Sequence, residues 1–67
     1  MDATFSLDMF FKMMIAEEHS AQKKYEMAMQ NAGTPELKKV FERFMQEEMF
    51  HAQILEGELL KLEKKGL

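Results

Sequence analysis

The sequence lacks cysteine, contains a single proline, and has no apolar run near the roughly 18 residues that a membrane span needs. The absence of cysteine excludes disulfides, thiolate zinc sites and iron–sulfur clusters, and it is compatible with a reducing compartment. The nine basic residues are scattered along the chain, so the sequence lacks the clustered basic patch that is typical of nucleic-acid-binding proteins. The chain also opens without the basic segment of a secretory signal. We therefore expect neither a membrane nor a nucleic acid as a partner.

Amphipathic helices are what the composition favours. The 67 residues are 46 % hydrophobic and 31 % charged, which suits helices with one apolar face better than it suits disorder. A chain of this length buries too little surface to be comfortably stable alone, and without disulfides the remaining supports are a metal or a partner chain. The eight methionines are spread along the chain, which indicates pliable core filler rather than a copper site.

The first half of the chain is predicted to form a helix over about residues 7–31. Ser6 is the favoured N-cap, and Thr4, two residues earlier, is the alternative. Apolar residues then recur at alternating steps of three and four, which is typical of a helix in a bundle. The apolar seam of this helix consists of Phe11, Met14, Ala21, Tyr25, Ala28 and Ala32.

A tight turn at residues 32–34 is the sharpest local signal. Gly33 is expected to adopt the left-handed conformation that commonly follows a helix. Thr34 then suits the N-cap of a second helix, and Pro35 suits its first position. The second helix is predicted over about residues 35–64 and must return antiparallel to the first.

The second helix carries a matching apolar seam. Gly57 lies inside this helix at a cost of about 1 kcal/mol relative to alanine, which we attribute to close packing. Gly66 is expected to end the helix. The seam consists of Leu37, Phe41, Phe44, Leu55 and Leu62, and it is widened by Met45, Ala52 and Leu59. The chain is therefore predicted to be an all-α, two-helix antiparallel hairpin over residues 1–67 that dimerises into a four-helix bundle.

Glu18, Glu48 and His51 occupy seam positions where apolar residues are expected. Glu48 and His51 are three residues apart and project from the same helix face, which we expect to be the buried one. Counted from the middle of the turn, Glu18 on the first helix is at the same height along the hairpin as the part of the second helix between Glu48 and His51. Burying these groups is costly unless they are paired, and they are good ligands for iron, manganese or zinc. A metal site is predicted; the alternative is a core histidine bonded to a neighbouring glutamate.

Four residues near these ligands have separate interpretations. Glu17 and Glu47 each precede a proposed ligand and are interpreted as flanking charges, with the alternative that Glu17 reaches the site from its edge. His19 is expected to point away into solvent. Tyr25 follows Glu18 by seven residues, where it is either a core aromatic or the hydrogen-bond partner of a ligand carboxylate.

The number of ligands predicts a homodimer. One chain supplies two seam glutamates and one histidine, which is too few for a buried pair of metal ions. Two chains supply four glutamates and two histidines, the set found in di-iron four-helix bundles. A two-fold axis through the bundle would place one such site at the interface, where two divalent cations balance four carboxylates.

The segments EHSAQKKY, beginning at residue 18, and EEMFHAQIL, beginning at residue 47, resemble the rubrerythrin branch of the ferritin-like superfamily. That branch shows E-x6-Y on one helix and E-x-x-H on the next. The resemblance implies a ferritin-like bundle in which Glu18, Glu48 and His51 are metal ligands and catalytic residues, with Tyr25 as the associated tyrosine. It also implies iron as the cofactor, two ions per dimer, with manganese or zinc as substitutes.

The chain departs from typical rubrerythrins because it has one hairpin instead of four helices and no cysteine-ligated rubredoxin part. It is more similar to encapsulated ferritins, short half-bundle members that dimerise and associate into rings of dimers. Members of that group often carry a C-terminal peptide that directs them into an encapsulin shell. Residues 64–67 do not resemble such a peptide, so they do not support an encapsulin shell as a partner. The resemblance implies a cytoplasmic location, either free or inside such a nanocompartment.

Three functions follow as alternatives. The first is a ferroxidase, which oxidises Fe²⁺ with O₂ or peroxide for iron storage or detoxification. The second is a peroxide reductase of the rubrerythrin kind, which needs an electron donor that this chain lacks. The third is a non-enzymatic dimerisation module whose polar core cluster fixes the register of the helices.

Overall fold

The computed structural model describes residues 6–65, which form two α-helices and no strand. Helix α1 extends over Leu7–Gln30 and helix α2 over Pro35–Lys64, and the two pack against each other. The predicted all-α hairpin is confirmed for this part of the chain, whereas the alternative cap Thr4 and the stop at Gly66 lie outside it. Neither described helix combines enough length with enough apolar character to cross a membrane.

Helix α1 begins at the predicted serine cap. Ser6 has an extended backbone, and its hydroxyl oxygen accepts a hydrogen bond from the Met9 backbone N–H at 3.3 Å. Asp8 lies in the first turn, where the helix dipole favours a negative charge. Its carboxylate also pairs with Lys12 at 3.0 Å. These local contacts position the start of the helix without help from α2.

The end of α1 corrects the prediction for Gly33. The φ angle of this glycine lies outside the left-handed region, and a Cβ placed there would meet no atom within 4 Å. Asn31 is the C-cap instead, with φ −110° and ψ 6°. Its side-chain amide donates to the Met27 carbonyl at 2.8 Å, so that carbonyl is satisfied without a left-handed residue.

Helix α2 begins as predicted. Thr34 has an extended backbone, and its hydroxyl oxygen accepts a hydrogen bond from the Leu37 backbone N–H at 3.1 Å. Pro35 occupies the first helical position. A backbone N–H at that position makes no hydrogen bond within the helix, so proline loses none there. The chain therefore turns within residues 31–34, and α2 returns along α1.

The helices meet closely at Ala52, which is 2 % exposed and is the only buried residue within the described range. On the same face of α2, Met45, Glu48, Leu55 and Leu59 are half-buried. The sequence pattern placed Ala52 at the edge of the seam, but the structure places it at the centre of the contact. The contact face of α2 is therefore centred on Ala52, with Phe44 and His51 at its edge.

Many large apolar side chains remain exposed because two helices have no third layer to cover them. Leu37 and Phe44 belong to this set, although the sequence places them in the seam. Together with His51 they recur every seven residues and so form one line along α2. This line is part of a larger set of exposed apolar side chains. The full set is Leu7, Met9, Phe10, Met13, Met27, Leu37, Val40, Phe44, Met49, Phe50, Ile54 and Leu60.

Gly57 is not explained by packing within the hairpin. A Cβ added at this position would meet nothing within 4 Å, so close approach of α1 does not require a glycine there. The predicted reason for this residue is therefore wrong for contacts inside one chain.

Candidate metal centre

Glu18 from α1 converges with Glu48 and His51 from α2 near the middle of both helices. The His51 Nδ1 atom lies 3.7 Å from Glu18 Oε2 and 4.0 Å from Glu48 Oε2. One possible ligand atom from each of the three side chains lies within 4.8 Å of the others. The predicted convergence of these three residues is therefore confirmed, and we call them the Glu–Glu–His cluster.

Exposure differs across the cluster. The Glu18 side chain is 14 % exposed, that of Glu48 23 % and that of His51 54 %. The two carboxylates therefore lie against the helix contact, while the imidazole projects from the flank of α2. The expectation of a buried histidine is not met within one chain, because His51 lies in line with the exposed Leu37 and Phe44, at the edge of the contact with α1.

One oxygen of Glu18 is buried without a partner. Within the described residues, Oε2 of this carboxylate is inaccessible to solvent and accepts no hydrogen bond. The contact with His51 at 3.7 Å is too long to be one. A buried carboxylate oxygen in this situation is costly unless a proton or a cation compensates it. The donor set around it, a second carboxylate and an imidazole, fits a cation such as Fe²⁺, Mn²⁺ or Zn²⁺.

The neighbouring Glu18 raises the pKa of Glu48 above its usual range. The largest cause is that the protonated Glu48 carboxyl can hydrogen-bond to Glu18. Burial and repulsion from the Glu18 charge act in the same direction, while His51 opposes them. The raised pKa of Glu48 therefore follows from two carboxyl groups placed side by side in a partly buried position.

We expect the metal-free protein to lose stability as the pH rises above the ordinary glutamate pKa of 4.5. A carboxyl group with a raised pKa binds more protons in the folded chain than in the unfolded one, so deprotonation through that window favours unfolding. Denaturant unfolding with a chelator present, repeated across this pH range, measures the effect. Glu48→Gln is the matched control, and its stability should vary less. An equal pH dependence in both proteins would contradict the prediction.

The flanking residues do not join the cluster. Glu17 is exposed, and Glu47 is exposed with its carboxylate 3.9 Å from Arg43. His19 points into solvent, as predicted, and its Nε2 atom lies 3.6 Å from Oε1 of Glu56. The sequence pattern does not point to Glu56, because its pairing with His19 joins two helices and follows no short-range spacing.

Tyr25 packs against aromatic rings of α2. Its ring centroid lies 6.5 Å from that of Phe41 and 5.6 Å from that of Phe44. Within residues 6–65, its hydroxyl makes no hydrogen bond to a residue of the Glu–Glu–His cluster. The core-aromatic interpretation therefore accounts for its contacts inside one chain, and a bond to a carboxylate of a second chain stays a prediction.

The cluster supplies three side-chain ligands, whereas di-metal carboxylate sites in four-helix bundles use six. A single hairpin therefore offers three such side chains, with His51 on the exposed side of the group. No family model, no curated protein and no solved structure matches this chain. The resemblance to rubrerythrins consequently rests on the two sequence segments alone.

Proposed function

We propose that this chain is a ferritin-like di-iron carboxylate protein with ferroxidase activity, and that its site is completed by a second copy of the chain. The observation that carries the proposal is the convergence of Glu18, Glu48 and His51 around a buried, unpartnered carboxylate oxygen. A structural polar cluster would be expected to satisfy that oxygen internally. A metal site, by contrast, keeps this oxygen of Glu18 available for the cation.

The exposed flank of α2 supports assembly around the cluster. Leu37, Phe44 and His51 lie along one line and are exposed in the single hairpin. A second hairpin placed on this flank by a two-fold axis covers the apolar side chains and brings a second cluster opposite the first. Four carboxylates and two imidazoles then surround one space, and two divalent cations balance the four negative charges.

Each residue of the Glu–Glu–His cluster would have its own role in such a site. Glu18 and Glu48 of each chain would hold iron through oxygen, and His51 through Nδ1, the imidazole atom nearest both carboxylates. Bound iron supplies one-electron chemistry towards O₂ or peroxide. Only the carboxylate form of Glu48 is a ligand, so its raised pKa makes a proton compete with the metal for this side chain. His51 must be neutral for the same reason, so acid weakens binding.

The proposal is tested by O₂-dependent oxidation of Fe²⁺, followed through the ferric absorbance. As the substrate, Fe²⁺ loses one electron and leaves as Fe³⁺. We expect the protein to oxidise Fe²⁺ faster than buffer, and a parallel assay with peroxide separates the ferroxidase from a peroxide reductase. A rate no higher than that of buffer, in protein that retains bound metal, would refute ferroxidase activity.

A non-enzymatic dimerisation module is the second candidate, and the exposed Leu37 and Phe44 favour it. In that case the Glu–Glu–His cluster fixes the register of the helices without a metal. The metal content of protein purified without a chelator distinguishes the two functions. A stable dimer that contains no metal favours the module.

A further inference from the structure

We propose that His19 and Glu56 form a second divalent-cation site, separate from the Glu–Glu–His cluster, that takes a borderline metal such as Zn²⁺. His19 projects from α1 and Glu56 from α2, with Nε2 and Oε1 3.6 Å apart. Their side chains are 54 % and 55 % exposed, so a hydrated ion reaches both without any rearrangement of the helices.

The separation suits ligands of one ion better than it suits a hydrogen bond. At 3.6 Å the two atoms are too far apart to share a proton directly. Zinc lies about 2.0–2.2 Å from imidazole nitrogen and carboxylate oxygen, so two ligands at the tetrahedral angle lie about 3.4 Å apart. His19 and Glu56 are therefore close to the required spacing. Water completes the coordination on the solvent side.

Within the part of the chain that the structure describes, no lysine or arginine pairs with Glu56. Among residues 6–65 its ion pair is with His19 alone, whereas Asp8, Glu47 and Glu58 each pair with a lysine or arginine. Its carboxylate is therefore available to a metal. The imidazole makes zinc or copper the favoured class, since Mg²⁺ and Ca²⁺ prefer oxygen ligands.

The site is distinct from the cluster although its residues are near in sequence. His19 follows Glu18 directly, and successive helical residues point about 100° apart. Glu56 lies five residues after His51, so these side chains project from α2 about 140° apart. Because its ligands come from different helices, an ion bound there would join α1 to α2. The inference does not depend on the proposed ferroxidase.

The test uses the full chain with Glu48→Gln and His51→Ala, which removes two ligands of the cluster. Zn²⁺ is titrated while calorimetry measures binding and ¹⁵N NMR follows the His19 imidazole. We expect saturable binding with a shift of Nε2, lost after His19→Ala and after Glu56→Gln. Glu58→Gln is the matched control, because it removes an equally exposed glutamate of α2, and it should bind like the parent.

Two results would overturn the site. One is an imidazole resonance of His19 that Zn²⁺ leaves unmoved. The other is equal Zn²⁺ affinity in the Glu56→Gln and Glu58→Gln proteins, which would make the His19–Glu56 contact an ordinary exposed ion pair. Thermal unfolding in the wild-type background provides a second measurement, in which His19→Ala should reduce the zinc-induced rise in melting temperature.

Discussion

Adding Fe²⁺, Mn²⁺ or Zn²⁺ to the metal-free protein is expected to raise both its melting temperature and its dimer fraction. The single hairpin leaves Leu37 and Phe44 exposed, so association buries apolar surface. The same association brings four carboxylates together, and their repulsion opposes the apolar gain. A metal-free dimer should therefore be marginal.

Metal shifts this balance because only the assembled form offers the complete ligand set. Binding to that form stabilises it by RT ln(1 + [L]/Kd), about 2.7 kcal/mol at roughly a hundredfold excess over Kd. Acid should reverse the effect, since protonated His51 and protonated carboxylates do not ligate. The metal-bound protein therefore loses stability on acidification, opposite to the trend that Glu48 imposes without metal.

Native mass spectrometry and sedimentation at fixed protein concentration, with each metal and with chelator, measure the assembly. His51→Ala is the control, because it keeps the His19–Glu56 pair and should lose the metal-dependent dimer. A mass distribution and melting temperature that are both indifferent to metal would contradict an interfacial site.

Replacing Glu48 or His51 with alanine is expected to abolish metal binding at the cluster and with it the oxidation of Fe²⁺. Each substitution removes one of three ligands per chain, and the two-fold arrangement doubles the loss to two of six. Glu47→Ala is the matched control for Glu48→Ala, since its carboxylate is exposed beside Arg43 and lies outside the cluster. It should bind metal and oxidise Fe²⁺ nearly as the wild type does.

Isothermal titration and the Fe²⁺ oxidation rate report the two effects separately. Circular dichroism of each variant shows whether the hairpin is still folded, so that a lost site is not mistaken for a lost fold. Damage by Glu47→Ala equal to that by Glu48→Ala would place the wrong glutamate of α2 in the site.

The starts of both helices could be predicted because their causes are local. Ser6 and Thr34 each cap a helix through a backbone N–H three residues ahead, and Pro35 acts through its own ring. The convergence of Glu18 with the E-x-x-H pair was likewise predictable. When two antiparallel helices are joined by a short turn, the position of the turn determines which residues of one helix lie opposite which residues of the other.

The features that could not be predicted from the sequence are mainly those that depend on the packing of one helix against the other. The rotation of α2 about its axis is decided by how two irregular surfaces pack, and it places Ala52 at the centre and His51 at the rim. Gly33 carried a strong local signal for a left-handed cap, but the Asn31 side chain supplied an alternative. The His19–Glu56 pair spans two helices and matches no motif.

The four-residue turn between α1 and α2 has a consequence for the timing of maturation. Closing a short loop takes about 100 ns and helix formation about 1 μs, so a hairpin with neighbours this close along the chain folds quickly. Meeting a second chain is slower and depends on concentration. In the proposed dimer, the association of two hairpins is therefore the slower step, and it becomes faster as the chain accumulates. The concentration of the chain, rather than its rate of folding, would decide when iron chemistry begins.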